Sequence, residues 1–176
     1  FNAYYLLGVI AFQTRNYKQS EELISKAIEI NSENFEFYNF IGIVLVHLNR
    51  FEEAIKNWTK AIEINPNSLD AYNNRGNALI KLKKNESALK DFDRAIKIKP
   101  NFAQAYNNRG VVLKDLNRFD LALESSNKAI EINPNYADAY NLKGVILREL
   151  KQIEESLNNY DKAIKLNPNF ADAHVN

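Results

Sequence analysis

Apolar residues return along this chain at helical spacing, in blocks separated by short polar turns. Tyr72, Arg75, Gly76 and Leu79 line one helical face, and Ala88, Leu89, Phe92, Ala95 and Ile96 line another. Lys83-Lys84-Asn85 lies between them, and Asn117-Arg118 holds the corresponding place further on. The pattern predicts a succession of paired helices. Asn at the turn (Asn49, Asn117) suits the left-handed backbone that a tight helix–helix connection needs.

The succession has a fixed period. All five glycines (Gly8, Gly42, Gly76, Gly110, Gly144) and all four prolines (Pro66, Pro100, Pro134, Pro168) recur every 34 residues. Counting Phe1 as position 1, position 4 is Tyr4, Tyr38, Tyr72, Tyr106 and Tyr140, and position 20 is Ser20, Ala54, Ala88, Ala122 and Ser156. Position 27 is Ala27, Ala61, Ala95, Ala129 and Ala163. Units are therefore expected over residues 1–34, 35–68, 69–102, 103–136 and 137–170, with 171–176 opening a sixth that places His174 where tyrosine stood. Each proline is expected to end a second helix, because it lacks an amide donor and bends the preceding residue out of helical geometry. The Asn after it (Asn67, Asn101, Asn135, Asn169) is expected to cap the next helix. Glycine inside a helix costs roughly 1 kcal/mol relative to alanine. Close approach of two helix backbones would explain it, with each glycine facing the small residue at position 20. One hairpin cannot bury both of its faces, so the hairpins must stack.

On these residues the chain resembles the tetratricopeptide repeat family, whose pattern is an aromatic, Leu-Gly, a later Ala, an aromatic, Ala and Pro. A full unit runs from Leu69-Asp70-Ala71-Tyr72-Asn73-Asn74-Arg75-Gly76 through Ala88, Phe92, Ala95 and Pro100, and the resemblance covers residues 1–170. It implies an all-α, right-handed superhelical solenoid of antiparallel helix pairs. There are departures: position 7 is Arg75, Arg109 and Lys143 in the later units, position 24 is Ser126 in the fourth, and Ser32 replaces proline in the first. Ser126 should leave a gap unless a neighbour such as Leu123 leans in.

The resemblance also implies that first helices line a concave groove. Its early part is apolar, with Tyr5, Leu6, Val9, Phe12, Phe40, Ile43 and Val46, and Leu142 holds position 6 of the last unit. Asn39, Asn73, Asn107 and Asn141 at position 5, Asn74 and Asn108 at position 6, and Asn77 at position 9 form an asparagine ladder, followed by Lys114 and Arg148. Each Asn amide can both accept from and donate to an extended peptide backbone. The same residues have a plainer reading, since the chain holds 26 Asn and would scatter them over any solvated face. A clamp for a C-terminal carboxylate, another mode of the family, fits poorly. Position 5 is Tyr or Asn and never Lys, and position 2 carries Glu36, Asp70 and Asp138. Arg75, Arg109 and Lys143 are either aliphatic stems over the core with heads reaching solvent or an acid, or a cationic row for an acidic partner.

Composition narrows the function. Lys plus Arg (23) nearly cancel Asp plus Glu (22), leaving a formal charge of +1 and no global pull toward nucleic acid or anionic membrane. There is no Cys, and His47 and His174 are too far apart to form a metal or catalytic group, so neither metal nor cofactor is expected. Singly spaced glycines build no phosphate loop. Apolar stretches such as Ile41 to Val46 are too short to span a bilayer. The absence of Met and the start at Phe1 suggest a piece of a longer protein, and no targeting segment is evident, so a cytoplasmic setting is expected. The expected function is a non-catalytic protein–protein interaction scaffold that holds an extended peptide, partly through the Asn ladder. The alternative is a spacer or self-assembly module, a possible homo-oligomer stacking end to end through uncapped terminal units.

Overall fold

The computed structural model describes residues 2–168. The expected sixth unit (171–176, with His174) and Asn169 lie outside the described residues. Ten helices follow one another in the described residues. They are α1 (Asn2–Gln13), α2 (Tyr17–Ile30), α3 (Phe35–His47), α4 (Phe51–Ile64), α5 (Leu69–Lys81), α6 (Asn85–Ile98), α7 (Ala103–Asp115), α8 (Phe119–Ile132), α9 (Ala137–Glu149) and α10 (Ile153–Leu166). The chain divides into two compact units, Phe1–Ser87 and Ala88–Asn176.

Within each unit a helix packs on its successor, as α1 on α2, α3 on α4, α7 on α8 and α9 on α10. The turns that join such pairs share one backbone solution. Arg15, Asn49, Lys83, Asn117 and Lys151 all have φ between 56° and 63°. The next amide then reaches back five residues to a carbonyl near the helix end: Arg50 to Leu45, Lys84 to Leu79 and Arg118 to Leu113, at 2.8–2.9 Å. This is the left-handed helix stop, and it satisfies carbonyls that the helix leaves open. Asn at two of these sites was legible; Arg and Lys at the other three adopt the same geometry without its chemistry.

The turns between pairs correct two expectations. α2 ends at Ile30, just as α4 ends at Ile64 and α8 at Ile132, although Ser32 stands where the others have proline. Asparagine supplies the bend instead. The Oδ1 atoms of Asn31, Asn65 and Asn133 accept from the amides of Glu33, Asn67 and Asn135 at 3.1–3.2 Å. Asn67 and Asn135 thus donate their backbone amides and are not the caps of the following helices. Those helices are preceded by Ser68, Phe102 and Tyr136, and only Asn34 among residues at this place caps through its side chain, accepting from Glu36 at 2.9 Å.

In the first unit the core gathers Ile24, Phe37, Ile41, Leu45 and Trp58, with Ala27, Ala54 and Ala61 fully buried between helices. Trp58 donates its indole N–H to the Asn39 carbonyl at 3.0 Å. Arg50 clips α2 to α4, donating to Glu21 at 2.7 Å and to Glu53 at 2.6 Å. These bonds raise the Arg50 pKa and hold the Glu53 carboxyl below its ordinary range. In the second unit Leu113, Ala122, Leu142 and Ile146 form the corresponding cluster. Ala88, Ala95, Ala129 and Ala163 are fully buried as well.

The glycines face something larger than the small residue expected. A Cβ on Gly42 would lie 2.5 Å from the Trp58 ring, and one on Gly144 would lie 2.6 Å from the Tyr160 ring. Position 20 does approach, through its serine hydroxyls: Ser20 and Ser156 Oγ donate to the carbonyls of Gly8 and Gly144 at 2.8 Å. Where position 24 is Ser126 there is no ring, and Leu142 from α9 takes the space, 2.9 Å from where a Gly110 Cβ would sit. Ser126 turns inward, donating to Leu123 O at 2.9 Å. Leu142, expected on the groove, is therefore a core residue with 6% exposure.

Candidate peptide-binding surface

Position 4, the conserved-phase tyrosine of the pattern, is half-buried at Tyr38, Tyr72, Tyr106 and Tyr140, whereas Tyr4 on α1 is exposed. One turn along the first helices, the residues singled out as groove lining divide into three settings.

In the first unit the early apolar residues pack on one another. Tyr5 stands 5.0 Å from Phe37 and 5.7 Å from Phe40, and Phe12 stands 5.4 Å from Phe40, ring centre to ring centre. His47 closes this row, stacked on Tyr17 at 4.8 Å and edge-on to Phe12 at 5.0 Å. Burial, with a smaller contribution from the Glu36 charge, raises the Tyr5 pKa, so its phenol stays protonated. Val9 and Asn39 are half-buried. The Asn39 Oδ1 atom is buried without a partner.

Beside this row opens a cavity of about 230 Å³. Ile43, Val46 and Trp58 give it an apolar wall, and Asn74, Asn77, His47 and Lys81 give it a polar one. Asn73, one residue earlier, is buried at 5% exposure. The ladder residue Asn73 is thus under the surface, and its neighbour Asn74 is the amide at the opening.

In the second unit a cavity of about 350 Å³ brings Asn107, Asn108, Lys114 and Asn141 together. Its floor is Val111, Leu142 and Val145, and its rim carries Tyr136 and Asp138. Asn107 is 7% exposed, and its Oδ1 is buried with no hydrogen-bond partner. A buried amide oxygen left unmatched costs about 1–3 kcal/mol. Lys114 is paired with Asp115 at 2.9 Å. Burial first, and then the charge of Asp138, push the Tyr136 phenol up to about 12. Arg148 is exposed, lies 3.6 Å from Glu149 and does not line this cavity.

Sequence reasoning missed Tyr136. It precedes α9 at the last position of a unit, where the other units carry Asn34, Ser68, Phe102 and Phe170. The aromatic that recurs there over the last three units, and its neighbour Asp138 at position 2, were the available clues.

The cationic row resolves into anchors. Arg75 donates to Thr59 Oγ1 at 2.9 Å and lies 5.7 Å from the centre of the Tyr72 ring. Arg109 donates to Asp93 at 2.7 Å and to Ser125 Oγ at 2.6 Å. Each ties its first helix to a second helix, which favours the core-covering reading. Lys143 is half-buried. Among the described residues no group of His, Asp and Glu side chains is disposed to hold a metal, and no helix is long and apolar enough to cross a membrane.

Comparison with known proteins follows the same lines. Profiles described as tetratricopeptide repeat match residues 1–34, 69–102, 103–136 and 137–170, and one described as TPR repeat matches 42–83. No curated protein matches the chain. Among solved structures, MamA (41 to its end) from Desulfovibrio magneticus RS-1 superposes with a TM-score of 0.87 at 17% identity, covering 97% of this chain and 96% of that one. Pseudomonas aeruginosa pilF gives 0.86 at 21% identity, covering 98% and 78%. YrrB, described as a TPR protein with an unusual peptide-binding site, gives 0.79 at 26% identity, covering 98% and 89%. The shared feature is the all-α fold of stacked helix pairs.

Proposed function

Because the chain belongs to the tetratricopeptide repeat family, whose members are generally non-catalytic protein–protein interaction scaffolds, we propose that it binds an extended peptide segment of a partner protein on its first helices. The repeating units of the proposal are residues 1–34, 35–68, 69–102, 103–136 and 137–170. In each compact unit the contact is a mixed cavity, with Asn amides beside an apolar wall. Asn74 and Asn77 stand over Ile43 in the first, and Asn107, Asn108 and Asn141 over Val111 and Val145 in the second.

The observation that carries this reading is a cavity in which the amides of Asn108 and Asn141 stand beside Val111 and Val145. An Asn amide can accept from a peptide N–H and donate to a peptide C=O. Backbone pairing of this kind depends little on the partner's sequence, and the apolar walls add side-chain burial. The similarity to YrrB, itself described as peptide-binding, supports the same reading.

Its test is the double variant Asn74→Ala and Asn108→Ala. A peptide selected on the wild-type chain from a random library should bind the variant about tenfold more weakly, the loss of one or two net hydrogen bonds. Helicity by circular dichroism should not change. Unchanged affinity would sink the amide part of the proposal.

A second reading, end-to-end self-assembly, is favoured by a separate observation. Leu6, Leu7 and Ile10 on α1 are 51–59% exposed, and on α10 Ile153 and Leu157 are 53% and 58% exposed.

A further inference from the structure

The joints between successive helix pairs are tied at one repeating place. Arg75, at position 7 on α5, donates to Thr59 on α4 at 2.9 Å. Arg109, at the same position on α7, donates to Asp93 on α6 at 2.7 Å. Each acceptor stands sixteen residues earlier, at position 25 of the preceding unit. Position 25 is Ser25, Thr59, Asp93, Asn127 and Asp161, and the first four are followed sixteen residues on by Ile41, Arg75, Arg109 and Lys143. A serine precedes the apolar Ile41, and an oxygen acceptor precedes each cation. Asp161 repeats the chemistry of Asp93, yet it is exposed and forms no ion pair among the described residues.

Asp161 also lies on an uncovered stripe. Ile153, Leu157, Asp161 and Ile164 fall at i, i+4, i+8 and i+11 along α10, on one face of the helix. Ile153 and Leu157 are 53% and 58% exposed. Phe119 and Leu123, which hold their places on α8, are half-buried where α8 packs on α9.

We infer that this face of α10 docks a tetratricopeptide unit of a partner chain whose first helix carries Arg or Lys immediately before its glycine, as Arg109-Gly110 and Lys143-Gly144 do here. The cation meets Asp161 as Arg109 meets Asp93, and apolar residues of the docked unit cover Ile153 and Leu157. The inference rests on the end-to-end reading above for its surface and narrows the occupant. An unaltered second copy is a poor fit. Its α1 would bring Leu7 to Asp161 and cover a carboxylate that has no partner.

Sedimentation velocity across a dilution series, on the wild-type chain, Leu7→Arg, Asp161→Ser and the two changes together, tests this. Leu7→Arg supplies the missing cation and should raise the self-association constant about tenfold, a gain that added salt weakens. Asp161→Ser restores the match of Ser25 with Ile41 and should also raise it, about fivefold. The double variant should lose the gain of Leu7→Arg, so the two changes are coupled and do not add. Leu7 is 51% exposed and Asp161 is exposed, so all three variants are expected to fold, and circular dichroism checks this. A Leu7→Arg chain that associates no more tightly than wild type overturns the inference. So does a gain that survives Asp161→Ser. A monomeric wild type beside an associating Leu7→Arg upholds the inference and removes self-assembly of the unaltered chain. A wild type that associates as tightly as Leu7→Arg does the reverse.

Discussion

At the residue scale, the packing of glycine against position 24 is the most exacting feature. Gly42 faces a rigid indole held by its hydrogen bond to Asn39 O, whereas Gly110 faces the end of the Leu142 side chain. A methyl group 2.5 Å from Trp58 ring atoms forces the ring or the helix to move. A Leu Cδ2 at 2.9 Å can rotate away. Gly42→Ala is therefore expected to destabilise by about 1–3 kcal/mol in urea unfolding, the usual cost of overpacking. Gly110→Ala should cost less, because the Leu142 end can give way and the helix-propensity gain of about 1 kcal/mol, common to both sites, then offsets more of the contact. Equal costs at the two sites would refute this account. The period of the glycines was plain in the sequence. What each one faces was not, because it depends on a side chain sixteen residues later at Gly42 and on a different helix at Gly110.

At the level of elements, the joints between helices decide the architecture. Five turns adopt left-handed backbone at equivalent places, and Lys83 is an exposed member of that set at φ 56°. A side chain other than Gly pays about 1–2 kcal/mol for this conformation. Lys83→Gly should stabilise the chain by about 1 kcal/mol, read as a higher urea midpoint at unchanged slope, while Asn49→Gly should gain less because Asn tolerates the region. A Lys83→Gly chain no more stable than wild type would show that the strain is not there. The other joint teaches a different lesson. Proline looks like the helix terminator from sequence, yet α2 stops at Ile30 without one. At α2 the Asn31 side chain folding onto Glu33 N–H accompanies the bend, whereas α6 stops at Ile98 with Lys99 in the Asn place and Pro100 after it.

For the whole molecule, the question is what covers the exposed faces. Leu7 and Ile10 on α1 occupy the register of Ile41 and Val44 on α3, which are 6% and 0% exposed with α2 packed against α3. If a second copy covers α1, sedimentation should show mass rising with concentration. Leu7→Glu with Ile10→Glu should then hold the chain at monomer mass, since a buried unpaired charge is prohibitive in such a contact. A wild-type chain that stays monomeric across the dilution series removes the assembly reading and leaves the scaffold reading alone.

The 34-residue period, the helix pairs, the recurring alanines and the polar turns were determined by the sequence itself, because recurrence at a fixed spacing and local helix and turn chemistry can be read without knowing which side chains meet. The binding surface was legible only in part. Asn74, Asn77, Asn108 and Asn141 do border cavities, but Asn73 is buried, Leu142 has moved into the core and Arg148 stands apart. The row of Arg75 and Arg109 became anchors for the same kind of reason. Which atoms remain unmatched is a property of everything packed around them. Position along a helix sets the direction in which a side chain leaves the backbone; only its neighbours from other helices decide whether it meets water, a partner within the fold, or a space still open to a ligand.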